Sequence, residues 1–243
     1  MTNQQQPPFQ VRLAPVTPFQ QNCSIIRAAS GKAAVVDPGG EPEKILAAAK
    51  EFDATIEQIW LTHGHLDHAG GAEAIKRETG SPIIGPHRED KFWLDDIAEH
   101  WAKYGQPGMG EDCAPDKWLE DGDVLELDGI KFDVVYTPGH TPGHVVIYHQ
   151  GARIAFVGDV IFAGSIGRTD FPRGDHDTLI KSITEKLWPL GDDIQFVPGH
   201  GPTSTFGQER QSNPFVGDQI TGYGGTAKQA PNEIDQKTSK RWQ

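Results

Sequence analysis

Cysteine occurs only twice in 243 residues, at Cys23 and Cys113, far apart and without a CxxC spacing. Two such thiols make no disulfide framework, and the chain reads as reduced and cytoplasmic. Long apolar runs are missing too: none approaches the ~20 residues that cross a bilayer, which argues against a membrane span. The first ten residues, MTNQQQPPFQ, show neither the charged-then-apolar order of a secretory signal nor an Arg-rich amphipathic helix. Basic residues are scarce, 22 Lys and Arg against 34 Asp and Glu, for a formal net charge of −12. That field repels phosphate backbones, so nucleic acid is a poor partner. An anionic small substrate would need a local cluster of Arg or Lys.

Histidine, by contrast, is concentrated. Leu61 to Gly71, LTHGHLDHAGG, holds His63, His65 and His68, with Asp67 between the last two. The surrounding sequence reads as strands that end in loops. CSIIRAA and KAAVVDPGG are β segments, the second closing at Asp37-Pro38-Gly39-Gly40. EPEKILAAAKEF has helical composition, with Ile45, Leu46 and Ala49 on one face. IEQIWLT is a strand that runs into the histidine cluster. DHAGGAEAIKRETG then reads as one helix with Gly80 past its end, and SPIIG as a short strand. Residues 88–120 begin helical and become aromatic and broken by Gly and Pro. DVLELDG, IKFDVVYTPGH, HVVIYHQ and ARIAFVGD follow as strands, DTLIKSITEKLW as a helix and DIQFVPGH as the last strand. From Thr221 the apolar periodicity is lost. The expectation is one domain over residues 10–220, between a flexible N-terminus (1–9) and a flexible tail (221–243).

Asp37, His63, His140, Asp159 and His200 each fall at or just after the C-terminal end of an expected strand, where a rigid sheet presents side chains to a common point. TPGH, VGD and PGH thus add His140, Asp159 and His200 to His63, His65, Asp67 and His68. A lone histidine of this kind reads more readily as a surface or capping residue; a cluster with three strand-end partners does not. Five imidazoles and two carboxylates exceed the three protein ligands plus water of one catalytic zinc. They suit two ions ~3.5–4 Å apart, with a carboxylate able to bridge them. The H-x-H alternation puts two imidazoles on one side of an extended turn, and Asp67 and His68 point toward a second ion. Ligands without thiolate fit two divalent ions, zinc first, with iron or manganese as alternatives. Asp37 reads as a carboxylate that orients a ligand or the loop, or as a turn-forming Asp before Pro. AGSIG has Ala163 where a G-x-S-x-G elbow needs Gly, and neither cysteine carries a catalytic signature, so covalent catalysis is disfavoured.

THGHLDH resembles the T-H-x-H-x-D-H signature of the metallo-β-lactamase superfamily, and the later His, Asp and His fall in that family's order. The likeness covers about residues 10 to 216. It implies an αββα sandwich, an α/β (α+β) fold of one domain, with metals at one edge of the two sheets. It assigns His63, His65 and His140 to a first metal, Asp67, His68 and His200 to a second, and Asp159 to both. QNCSII, VDPGG, THGHLDHAGG, PGHTPGH, GDVIF and GRTDFPRGD are together similar to the small glyoxalase II-like hydrolases. One departure stands: nothing after His200 is long or apolar enough to be the C-terminal helical domain with which glyoxalase II proper helps bind glutathione. The implied activity is hydrolysis of a thioester, S-D-lactoylglutathione or a related hydroxyacylglutathione. Two ions of this ligand set lower the pKa of a water between them toward ~7, with Asp67 as its protein partner. A thiolate leaving group of pKa ~8.5 needs no strong general acid. His144 resembles a family position that supports the site without binding metal.

In GRTDFPRGDH, Arg168 and Arg173 are the candidate cations for an anionic thioester. A pairing of Arg168 with Asp170 that simply holds the loop is equally consistent. His176 fits the start of a helix, and His87, His100 and His149 read as structural or exposed. Phe92, Trp93, Trp101, Tyr104 and Trp118 read as packing first and as pocket wall second. Two rival activities share these motifs. GRTDF also resembles the persulfide dioxygenases of the same superfamily, for which one iron on His63, His140 and Asp159 would suffice. Another activated acyl substrate, such as a lactone, would suit the same hydrolytic centre. The intact ligand set argues against a non-catalytic metal-binding module, and the charge against the RNA-cleaving branches.

Overall fold

The first five strands, β1 (Phe9–Val16), β2 (Gln21–Ala28), β3 (Lys32–Val36), β4 (Thr55–Trp60) and β5 (Ile83–Ile84), form one sheet in that spatial order. Along β2 and β3, Cys23, Ile25, Ala33 and Val35 face one way and Ile26, Ala34 and Val36 the other, and all are buried. Strands that are apolar on both faces must be covered on both. One cover is helical: Ile45 and Ala49 of α1 (Pro42–Glu51), Ala72 and Ile75 of α3 (Ala72–Thr79), and Ile97 and Trp101 of α5 (Ile97–Lys103) pack there. Between them in sequence lie the single-turn helices α2 (Leu66–Ala69) and α4 (Lys91–Leu94).

The other cover is a second sheet. It contains β6 (Val124–Leu127), β7 (Ile130–Tyr136), β8 (Val145–His149), β9 (Ile154–Gly158), β12 (Gln195–Pro198) and β13 (Ser204–Thr205), in the order β13-β12-β9-β8-β7-β6. The hairpin β10 (Ile161–Phe162) and β11 (Ser165–Ile166) lies outside it. Val145, Ile147 and Phe156 meet the first sheet across a core that includes Trp60 and Phe132. Val146, Tyr148, Ala155 and Val157 face outward under Leu179 of α6 (His176–Lys181) and Phe206 of α7 (Phe206–Ser212). A last short helix, α8, spans Asp218–Thr221. The layers are helix, sheet, sheet, helix, in one domain, as the motifs imply.

The structure, a computed structural model, describes residues 8–222. Residues 1–7 and 223–243, which hold nearly all of the expected flexible N-terminus and tail, lie outside the described residues. Phe9 does not belong with the terminus: it is buried in β1 against Phe132. β1 itself went unread because FQVRLAPV carries Arg12 and Pro15, and such residues are tolerated on an edge strand. The single helix expected over 67–79 is two. Gly70 and Gly71 break it because the chain passes too close for a side chain; a Cβ on Gly70 would lie 2.6 Å from Leu66 O and 2.8 Å from Gly39 O. The helix expected over 177–188 continues α6 as one π-turn segment, Ser182–Leu187. Among the described residues no helix is long and apolar enough to cross a membrane.

Candidate metal centre

β3 ends at Val36, next to Asp37, and β4 ends at Trp60, after which an extended loop runs through His63 and His65 into α2. β7 ends before the loop of His140, β9 ends at Gly158 beside Asp159, and β12 ends at Pro198 before His200. The seven expected ligands meet at this one edge. His65 Nδ1 lies 3.2 Å from His63 Nε2 and 3.0 Å from His140 Nε2. His200 Nε2 lies 3.2 Å from Asp67 Oδ2 and 3.4 Å from His68 Nε2. Asp159 stands between the two groups. Its Oδ1 is 3.3 Å from His68 Nε2, and its Oδ2 is 3.7 Å from His140 Nε2 and 3.6 Å from His200 Nε2.

These contacts fit cations. Nitrogens held by one tetrahedral ion at about 2.0–2.1 Å are about 3.3–3.4 Å apart, close to the spacings above. Asp159 Oδ1 is buried without a hydrogen-bond partner, 3.3 Å from His68 Nε2. Outer partners also turn the right nitrogen inward. His140 Nδ1 donates to Arg168 O at 2.7 Å, His200 Nδ1 to Phe19 O at 3.1 Å, and His68 Nδ1 to Asp37 Oδ2 at 3.0 Å. Each bond holds a proton on Nδ1 and leaves Nε2 facing the centre. The His and Asp clusters are consistent with a dinuclear metal site.

Asp37, His63 and His68 also lie within ligating distance of one another. The Asp37 carboxylate is already engaged, however: Oδ1 accepts the Thr62 N–H at 2.7 Å and Oδ2 the Thr62 hydroxyl at 2.6 Å. It holds the loop and His68 rather than facing the cleft. His144 stacks on His63 at 4.7 Å, and its Nε2 accepts the N–H of Asp159 at 3.1 Å.

Burial, with neighbouring imidazoles, pushes His63 and His65 well below the usual histidine range. Burial also lowers His140, against the pull of Asp159. His68 goes the other way: burial opposes its charge, but Asp159 and Asp67 raise it well above the usual value. His200 is raised too, by Asp67 and Asp159 against burial. Burial would raise Asp159, yet His68, His140 and His200 hold it far below the usual carboxylate range. Both thiols are pushed up, burial being the main cause, as suits inert packing groups.

A cleft of about 760 Å³ opens over these groups. Its walls are Trp93 and Phe171, which meet His65 edge-on at 4.6 and 4.9 Å, together with Phe162, Phe19 and Tyr104. Among the described lining residues the only acids are Asp67 and Asp159, while Lys103 and Arg168 supply positive charge. Lys103 pairs with Glu99. Arg168 grips Asp170 with two bonds of 2.6 Å and also lines the cleft, its guanidinium over the Phe171 ring. Arg173 does not reach the cleft lining; it binds Glu89 and lies over Phe92.

The 88–120 segment is more than packing. Trp101 is buried, but Trp93, His100 and Tyr104 face the cleft. His87 caps a turn and bonds Glu120, and His149 accepts the Ala152 N–H. Three supporting residues were missed. Thr62 holds Asp37. Asn22 donates from its backbone to Gly199 O at 2.7 Å and from its side chain to Pro198 O and Gly201 O, which pins the loop of His200. The QNC motif at the start of β2 was its only trace. Asp90 is fully buried and joins two ligand loops; burial lifts it to about 6 against three hydrogen bonds.

Residues 16–200 match the family model of the metallo-beta-lactamase superfamily. The chain belongs to that superfamily. A relative, the hydroxyacylglutathione hydrolase GloC of Haemophilus influenzae, is 46% identical over 207 residues, 85% of this chain and 97% of its own. The solved structure of the BLEG-1 B3 metallo-beta-lactamase is similar with a TM-score of 0.79 and 34% identity, covering 85% of this chain and 99% of that one. That of TTHA1623 in a di-iron-bound form is similar with a TM-score of 0.76 and 33% identity, covering 84% and 100%. The chain is thus a GloC-like member of a metallohydrolase family.

Proposed function

We propose that the protein hydrolyses a small anionic thioester, S-D-lactoylglutathione or a related hydroxyacylglutathione, with two divalent ions, zinc first. The observation that carries the proposal is Asp159, whose two oxygens stand between two complete ligand groups on the floor of the cleft. His63, His65 and His140 would hold one ion, Asp67, His68 and His200 the other, and Asp159 both. When bound, such a pair supplies a water nucleophile at neutral pH and an electrophile for the acyl oxygen.

The chain's own residues account for the rest. Trp93, Phe171 and Phe162 wall the acyl group off from bulk water. Asp67, which lines the cleft, would orient the attacking water and take its proton. Arg168, its guanidinium carbon 4.2 Å from the centre of the Phe171 ring, faces the anionic end of the substrate, with Lys103 of α5 as a second positive group. A thiolate of pKa ~8.5 leaves without a strong acid. The assembled second group favours this reading over a one-iron dioxygenase. The kinship with GloC supports the thioester class.

Thiol release from S-D-lactoylglutathione by the metal-reconstituted protein tests the proposal. A kcat/KM of ~10⁴ M⁻¹s⁻¹ or more, lost in Asp159→Ala, is expected. A wild-type rate equal to that of the variant would contradict it.

A further inference from the structure

Asp90 ends the short turn Arg88–Asp90 ahead of α4 and has no exposed surface. Its Oδ2 accepts the N–H of Gly64 at 2.9 Å and the hydroxyl of Thr141 at 2.7 Å; its Oδ1 accepts the N–H of Gly143 at 2.5 Å. Gly64 lies between His63 and His65, and Thr141 and Gly143 follow His140. One carboxylate therefore joins the two loops that carry the all-imidazole group. The turn also docks through its backbone, since His87 N–H donates to Gly143 O at 3.0 Å. The approach is close enough to require glycine at both places. A Cβ at Gly64 would lie 2.8 Å from Trp93 Cβ, and one at Gly143 only 2.6 Å from Asp90 Cγ. The other ligand group is held differently, His68 by Asp37 and the His200 loop by Asn22.

We propose that Asp90 is a positioning residue specific to the His63, His65 and His140 group. Three donors from two loops converge on it, and an ionised carboxylate is acceptor-only, with lone pairs for all three. An amide in its place would turn its NH₂ toward one of those donors. The loops would then part, and the imidazole nitrogens would lose the spacing that one cation needs, with the other group left intact. This rests on the two-ion reading of the site.

The test is a zinc titration of the metal-free protein followed through histidine-ring NMR signals, which report each ligand group separately. In Asp90→Asn, His63, His65 and His140 are expected to respond only at ~10–100-fold higher free zinc, the usual cost of losing a supporting contact, while His68 and His200 respond as in the wild type. Thr141→Val removes one donor of the three and keeps the carboxylate. If Asp90→Asn does not fold, this variant is expected to shift the same group in the same direction by a smaller factor. Equal shifts at both groups, or none in either variant, would overturn the proposal. A wild-type protein in which neither group responds to zinc would instead overturn the two-ion reading.

Discussion

His63, His65 and His140 are imidazoles enclosed by other imidazoles and by Trp93 and Phe171, whereas Asp67, His68 and His200 mix a carboxylate with two imidazoles, and the His200 side chain is 28% exposed. Both groups are built from strand ends of one sandwich, yet they hold protons in opposite ways. Burial keeps the first group neutral, ready for a cation. In the second, Asp159 and Asp67 raise His68 and His200 above the usual histidine range, so a cation competes with protons there. The two groups thus differ in the charge of their neighbours as well as in their donor atoms.

The largest effect should come from removing the residue that both groups share. Asp159→Ala is expected to lower kcat/KM at least ~10³-fold, since each lost 1.36 kcal/mol of transition-state stabilisation is tenfold. Metal analysis should show the bound ions falling from two per chain to one or fewer. His144→Ala, which takes the acceptor from the Asp159 N–H, should weaken zinc binding by ~10–100-fold at both groups, unlike the selective effect expected at Asp90. The pH dependence sharpens the contrast. Asp159 and Asp67 raise His68 and His200 above the usual histidine value of about 6.5, so zinc competes with protons for them near and above that pH. Affinity at their group should rise with pH above 6.5, by up to tenfold per unit for each proton displaced. At the group whose pKa values are lowered, affinity should stay flat over the same window. Equal slopes in a titration resolved by group would remove the distinction. The smallest effect belongs to Arg168→Gln, which leaves the backbone carbonyl that holds His140. It should raise KM for an anionic thioester about 3- to 5-fold, as a half-exposed charge contact would, with kcat little changed.

The His and Asp cluster was legible because its chemistry is written in short motifs at strand ends: HGH, LDH, PGH and VGD each place a donor within a few residues of a β segment. The layers followed from the resemblance those motifs carry, and the burial of β2, β3, β8 and β9 on both faces agrees with it. β1 was not, since an edge strand tolerates Arg12 and Pro15 and shows no clean alternation. Asp90 left no local mark, as its partners Gly64, Thr141 and Gly143 are 26, 51 and 53 residues away. Asn22 is further still from the loop it pins, 176 residues from Pro198. Arg173 was legible as a cation but not as one already engaged, because Glu89 meets it only in the folded chain. Local chemistry shows which groups are present; long-range contacts decide which of them are free.

The most direct test of the central claim is a titration of the metal-free protein with zinc at pH 7.5, with thiol release from S-D-lactoylglutathione measured at each addition. If the two groups form one reaction centre, activity stays near baseline through the first equivalent and climbs through the second. Full activity at a single equivalent would contradict the account and leave a one-ion centre in its place.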